Sequence, residues 1–378
     1  MDKIKGSIII VADTHFGLNR KDQVCDPNAF SEFLYWVKCL EEKGKETLNL
    51  GIWGRNKKDM DLKPPEKIIF LGDILELWDA SKNSIDVSTR SIIQSISALN
   101  CEKIYVLGNH DYDLVEIVGK YPLGASSISI MDQEYAILKG DRRYLFLHGH
   151  QFDKYFTLPS WMVMPHIRRA ALVFGSYTWI LVALFVVDLV LEIITGFGSI
   201  ANKILFALLS VISIPFLIIR FGRKVWNNLR STRHKPREAE KGFERWWNKF
   251  SKRREHAHEN WNIVYGHTHI IDFWRKAEGS NILTLLNIPS WIRDSTKKRE
   301  ITVEKVFRHA FLYINEDSEF IGWDTEKKKP FLIPKDIIIE RRESGNLIKL
   351  ELYEIVEKLQ EIGWPQELID KWIEYITI

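Results

Sequence analysis

Short apolar runs that stop abruptly at polar clusters recur along this chain. Ile8-Ile9-Ile10-Val11-Ala12 leads into Asp13-Thr14-His15, Ile68-Ile69-Phe70-Leu71 into Gly72-Asp73, and Ile104-Tyr105-Val106-Leu107 into Gly108-Asn109-His110-Asp111. Tyr144-Leu145-Phe146-Leu147 leads into His148-Gly149-His150, and Ile263-Val264-Tyr265 into Gly266-His267-Thr268-His269. Runs this short, rich in β-branched and aromatic residues and without polar alternation, predict strands buried on both faces in a layered α/β domain. Each polar cluster then sits at the carboxyl end of a strand. Helical spacing appears between them: Asp26 as N-cap and Pro27 in the first turn open a helix carrying Phe30, Phe33, Leu34, Val37 and Leu40, which Gly44 stops. A second helix is expected around Asp86 to Leu99, with Ile92, Ile93, Ile96 and Leu99 on one face, and the stretch Lys45 to Pro65 reads as loop. Further strands are expected within Asn281 to Leu286, Val303 to Ile314 and Glu319 to Trp323.

One segment departs from this alternation. Ala170 to Val187 is a run of eighteen residues without a charge, and Ile204 to Ile219 adds sixteen more. Arg168 and Arg169 precede the pair, and from Arg220 to Arg254 there are thirteen Lys or Arg against three Glu. A hydrophobic helical hairpin over about 170–219, with both ends on the cytoplasmic side of the cell membrane, is the expectation. Sixteen residues reach only ~24 Å of a ~30 Å hydrocarbon core, so attachment is better supported than a double span. A soluble hairpin buried in a lid or dimer interface is the alternative. The expected organisation is a core domain in two parts, 1–155 and 259–334. Between them lies an inserted helical segment, 156–258, holding the hairpin and a basic stretch at 220–254, and a helical appendage follows at 335–378.

Composition narrows the reading. A chain of 378 residues, 46% hydrophobic and 27% charged, can bury one large core. A net charge of +3 argues against a chain built as a whole to bind nucleic acid. Cys25, Cys39 and Cys101 form no Cys-x-x-Cys pair, which fits a reducing compartment and excludes a cysteine zinc site. The apolar run at Ile8 to Ala12 is too short for a signal-peptide core, so the amino end is expected to stay inside.

Carboxylate, amide and imidazole donors gathered at the ends of parallel strands converge where open α/β folds bind their ligands. Such a donor set, without thiolate, suits two divalent ions, Mn²⁺ first and Fe²⁺ or Zn²⁺ as alternatives. Any one cluster is a weak signal; five in fixed order, each just past a strand, are not.

The ordered set Asp-Thr-His, Gly-Asp, Gly-Asn-His-Asp, His-Gly-His and Gly-His-Thr-His resembles the calcineurin-like metallophosphoesterase superfamily, over about 7–155 and 260–325. The resemblance implies a four-layered α/β fold, a β-sandwich of mixed sheets flanked by helices, with a dinuclear site at the strand ends. It implies that Asp13, His15 and His269 hold one ion, that Asn109, His148 and His267 hold the other, and that Asp73 bridges them. It further implies that His110 sits over the substrate phosphate, held by Asp111. Gly72-Asp73-Ile74-Leu75-Glu76-Leu77-Trp78-Asp79, with His-Gly-His followed by Gln151-Phe152-Asp153, is similar to the UDP-2,3-diacylglucosamine pyrophosphohydrolase branch. Members of that branch cut a nucleotide-lipid pyrophosphate at the membrane surface under a helical lid. This chain has His110 where the branch usually has Arg, and His150 where it has Asp.

The implied chemistry is hydrolysis of a phosphoester or phosphoanhydride, with His110 and Asp111 as catalytic residues and a phosphorylated small molecule or lipid as substrate. Membrane lipids are the expected partner and nucleic acid is not. A DNA-repair-type nuclease is the second enzyme reading, with Trp226, Trp246, Trp247 and Phe250 interleaved in the basic stretch as a strand-tracking surface. A non-catalytic membrane scaffold is the third, and the occupation of every expected ligand position opposes it.

Overall fold

The structure is a computed structural model. Its description covers residues 1–19, 23–48, 59–78, 80–123, 126–153, 190, 236–253, 259–278, 281–294, 308–333, 335 and 338. In chain order the elements are β1 (Asp2–Ile4), β2 (Ser7–Val11), β3 (Gln23–Cys25), α1 (Pro27–Lys43), β4 (Glu46–Leu48), β5 (Met60–Leu62), β6 (Pro65–Leu71), α2 (Lys82–Ala98) and β7 (Glu102–Val106). Then come β8 (Gly119–Leu123), β9 (Ser126–Met131), β10 (Glu134–Lys139), β11 (Arg142–Leu147), α3 (Pro236–Phe250), β12 (Trp261–Tyr265), β13 (Asp272–Glu278) and β14 (Asn281–Asn287). The last are β15 (Ile292–Asp294), β16 (Ala310–Ile314), β17 (Ser318–Asp324) and β18 (Lys329–Ile333). The chain forms two compact units, Met1–His150 with Glu244–Ile378, and Gln151–Phe243. In the second, Phe152 and Phe243 meet edge to face with ring centroids 5.3 Å apart.

The first unit is a mixed α/β sandwich. Its eight-stranded sheet runs β18-β17-β16-β2-β6-β7-β9-β8, and its six-stranded sheet runs β1-β10-β11-β12-β14-β13. Strands β2, β6 and β7 are parallel neighbours in the first sheet, as are β11, β12 and β14 in the second. Because successive side chains alternate between faces, Ile8, Ile10, Ile69 and Ile104 point one way. There they join Tyr144, Phe146, Val264 and Leu286 of the other sheet in one buried cluster. Ile9, Val11, Ile68 and Phe70 point the other way and pack with Phe33 and Val37 of α1 and with Ile92 and Ile96 of α2. Both faces of the central strands are thus covered, which is why their sequence shows no polar alternation. Leu145, Ile263 and Leu285, on the outward face of the six-stranded sheet, are also buried.

Helix α1 has the expected bounds: the Asp26 carboxylate accepts from Ala29 N, and Gly44 ends it at φ 79°. Helix α2 starts earlier than Asp86, because the Ser81 hydroxyl caps it by accepting from Ser84 N. Its buried stripe is also narrower than expected, with Ile93 48% exposed. The stretch read as loop contains a hairpin, β4 paired antiparallel with β5. Asp61 is held there by both Thr47 Oγ1 and Lys45 Nζ, while Leu48 and Leu62 are buried, an alternation only three residues long in each strand. Among the described residues, no helix is long and apolar enough to cross a membrane. The hairpin expected over 170–219 lies outside the described residues apart from Val190, and so does the helical appendage expected at 335–378 apart from Lys335 and Ile338. Of the basic stretch, residues 236–253 are described, as α3 and one following turn.

Candidate metal centre

The seven proposed ligands meet at the carboxyl ends of β2, β6, β7, β11 and β12, and none is more than 8% exposed. Past each strand the backbone turns sharply. Asp13, His15, Asp73, His267 and His269 all have positive φ, between 46° and 68°. Non-glycine residues adopt that region rarely, and such strain persists only where surrounding bonds over-determine it. Those bonds run between the clusters: Asp13 N donates to Gly72 O (3.1 Å), His15 N to Asp73 O (2.9 Å), and Gly266 N to His148 O (2.9 Å). His267 N donates to Asp13 Oδ2 at 2.9 Å, and His110 N to Asp73 Oδ1 at 2.7 Å. Two glycines make the approach possible. A Cβ on Gly72 would lie 2.4 Å from His148 Nδ1, and one on Gly266 would lie 2.4 Å from Asp13 Oδ2.

The donors fall into two groups, with Asp73 between them. Asp13, His15 and His269 form one, and Asp73, His148 and His267 another. Asp73 Oδ2 lies 3.2 Å from His148 Nε2 and 3.7 Å from His15 Nε2, between the two groups. Buried Asn109 follows β7, beside the Gly108 whose Cβ position would lie 2.3 Å from Asp73 Oδ1. His15 Nε2 faces His269 Nε2 at 3.3 Å, and His269 Nε2 lies 3.4 Å from Asp13 Oδ1. Among the described residues, Asp13 Oδ1, Asn109 Oδ1 and His148 Nε2 are buried with no well-aligned hydrogen bond. Burying three such atoms is unfavourable unless something else satisfies them. Two ligands ~2.1 Å from one ion at right to tetrahedral angles stand roughly 3.0–3.4 Å apart, so the donor set and its spacing fit a pair of divalent cations. The other ring nitrogens are already placed: His148 Nδ1 bonds Leu71 O at 3.0 Å and His15 Nδ1 bonds Glu76 Oε2 at 3.1 Å. Each imidazole therefore presents its Nε2 inward.

Without cations, protons take their place. Burial alone would lower His15 and His148. The carboxylates around them outweigh it, Asp13 and Glu76 at His15 and Asp73 and Asp13 at His148, raising the two to about 9 and about 10. Burial pushes Asp73 and Asp13 up, but the surrounding imidazoles hold both carboxyls well below the usual range.

His110 flanks the donors with its side chain 13% exposed, its Nε2 4.0 Å from Asp73 Oδ2. Its expected partner is corrected. His110 Nδ1 bonds Glu76 Oε1 at 2.8 Å, not Asp111. The Asp111 carboxylate turns away, accepting from Ile74 N (2.9 Å), Gly108 N (2.6 Å) and the Tyr105 hydroxyl (2.5 Å). Asp111 thus fixes the loops after β6 and β7 rather than the imidazole, and burial together with Asp73 raises it to about 6. Nor does a carboxylate raise His110: burial outweighs Asp73 and Glu76 and lowers it. Glu76, 1% exposed, holds both His15 and His110, one oxygen to each, and Trp78 stacks on His110 at 4.4 Å. Sequence reasoning gave Glu76 no role, although it stands three residues after Asp73 on the same turn. His150 has its ring 5.5 Å from that of His148 and 6.5 Å from that of His267.

Residues 6–181 match the family model described as calcineurin-like phosphoesterase. The match takes in five of the seven donors, and His267 and His269 lie beyond it. With the clusters above it supports the superfamily and a metal-dependent phosphoesterase. No curated protein matches the sequence. Among solved structures, a dimetal phosphatase from Danio rerio is similar at 10% identity and a TM-score of 0.35, covering 84% of this chain and 94% of that one.

Ions and protons compete for His15 and His148, so metal uptake at neutral pH should release on the order of one proton for each, and affinity should rise with pH. A raised folded-state pKa stabilises below the unfolded value of ~6.5 and is lost on passing the folded value. The metal-free chain should therefore lose thermal stability between pH 7 and 10 while the loaded chain keeps it. Calorimetric titrations in buffers of different ionisation enthalpy count the protons, and zero release contradicts the assignment. Glu76→Gln should weaken metal binding by about 10–100-fold through His15. Asp111→Asn should instead lower thermal stability with little change in metal affinity, and a chemical-shift titration of the histidines separates the two.

Proposed function

We propose that this chain hydrolyses a phosphoester or phosphoanhydride bond at a dinuclear site held by Asp13, His15, Asp73, Asn109, His148, His267 and His269. The observation that carries the reading is the convergence of buried donor side chains from five strand ends around Asp73, three of their atoms lacking a hydrogen bond among the described residues. Two divalent cations, Mn²⁺ in the first instance, would acidify a water and offset charge on the phosphoryl oxygens. The residues of the chain do the rest. Leu71 O and Glu76 fix the rings of His148 and His15 through their Nδ1 atoms, and Asp73 spans the two donor groups. His110, held at Nδ1 by Glu76, presents Nε2 to the substrate. To protonate the leaving oxygen from Nε2 it must first carry a proton on each nitrogen, a form that the adjacent Glu76 carboxylate favours against burial. Trp78 covers one face of the ring and limits its movement.

The finer reading is a lipid-linked or nucleotide-linked pyrophosphate, cleaved at the cytoplasmic face of the cell membrane. The run Gly72 to Asp79, the His148 to Asp153 segment, and the two uncharged stretches 170–187 and 204–219 placed between the site's fourth and fifth clusters support it. A lipid substrate leaves the bilayer most readily toward a mouth held at its surface. With Mn²⁺, the purified chain should hydrolyse bis-p-nitrophenyl phosphate, and His110→Ala should lower the rate about 10²–10⁴-fold at unchanged metal content. Against UDP-2,3-diacylglucosamine in mixed micelles it should act faster than on the deacylated nucleotide-sugar. Equal rates would reject the lipid-linked substrate, and inactivity on every phosphoester would reject the hydrolase.

A further inference from the structure

At the other end of the strands that carry His148 and His267 lies a cavity of about 340 Å³. Its construction follows from strand register. Phe146, Val264, Leu286 and Phe273 sit side by side across β11, β12, β14 and β13 and close the core between the sheets. Two residues away along each strand, on the same face, the next row is Tyr144, Asn262, Thr284 and Arg275. That row turns from apolar to polar where the space between the sheets opens. From Asn262 to His267 is five residues, roughly 17 Å of strand, so the cavity is separate from the metal centre.

The charges there do not balance. Arg142 is paired with Asp317 at 2.8 Å, and Lys335 with Glu319 at 3.1 Å. Arg275 has neither ion pair nor hydrogen bond among the described residues; its guanidinium lies 5.6 Å from the centre of the Phe273 ring. The Lys335 ammonium lies 5.9 Å from the same centre. Two cations converge on one phenyl ring, one of them without a counter-charge. Half-buried Thr284, between Arg275 and Asn262 in register, offers a hydroxyl that bonds to nothing among the described residues. Phe273 and Leu286 form an apolar floor, and Ile282 stands 50% exposed at the rim.

We propose that this cavity binds an organic phosphate monoester. The phosphate would rest on Arg275, Lys335 and the Thr284 hydroxyl, with a planar or apolar body against Phe273 and Ile282. Two cations and a neutral donor suit a dianion with three oxygens better than a carboxylate, and a guanidinium is well shaped for phosphate. The volume lies at the low end of the ~300–1,000 Å³ usual for small-molecule sites, which sets the ligand near the size of a mononucleotide. The inference does not rest on the hydrolase reading.

AMP serves as probe and inorganic phosphate as competitor, in calorimetric titrations of the chelator-treated full chain. One AMP per chain should bind, displaced by phosphate and weakened by added salt. Arg275→Gln, at an exposed position, should weaken binding about tenfold or more, and Thr284→Val should weaken it while keeping the side-chain shape. His267→Ala, at the metal centre, should change it less than about twofold. Absence of binding to the wild type at millimolar AMP overturns the proposal. So does affinity unchanged by both cavity variants, or lost with His267→Ala alone.

Discussion

The Asp73 carboxylate is the point on which the site depends. One oxygen accepts the backbone N–H of His110 and so sets the loop after β7; the other lies between His148 and His15, which follow strands of different sheets. The residue's own carbonyl accepts from His15 N, so one residue of the β6 turn constrains the turns after β2 and β7 as well as the two donor groups. A carboxylate this deeply buried is tolerable only among positive partners, whether imidazolium or metal. The left-handed backbone at five of the seven donors is the accompanying strain, held by the same cross-strand bonds.

Packing explains why this point stays put. The parallel strands β2, β6 and β7 are covered on one face by α1 and α2 and on the other by the six-stranded sheet, so their ends have little freedom. Side chains launched from such ends are better fixed than any carried on a free loop. At the opposite ends of β12 and β14 the same alternation gives a polar row and an opening instead of a closed core.

Much of this was legible in the sequence because the two-sided burial of parallel strands removes polar alternation. Runs such as Ile8 to Ala12 and Ile68 to Leu71 therefore ended visibly at Asp13 and Gly72. Bringing Asp13, His15 and His269 into one group and His148, His267 and Asp73 into another required only that those strands lie parallel in two facing sheets. What pattern could not show was which atom faces which. Asp111 is next to His110 in the chain, yet the turn after β7 aims its carboxylate at Gly108 N and Ile74 N, leaving Glu76, on the preceding turn, to take the imidazole. The β4–β5 hairpin escaped because each strand is only three residues long: Leu48 and Leu62 are buried and Thr47 and Asp61 exposed, too short an alternation to form a pattern. The early start of α2 rests on a single hydroxyl, that of Ser81.

If Asp73 joins two cation sites, the metal content of the chain reports on it directly. After loading with excess Mn²⁺ and desalting, elemental analysis should find two ions per wild-type chain, and at most one in Asp73→Ala protein that retains its fold by circular dichroism. Two ions in that variant, or none in the wild type with Mn²⁺, Fe²⁺ or Zn²⁺, would contradict the account.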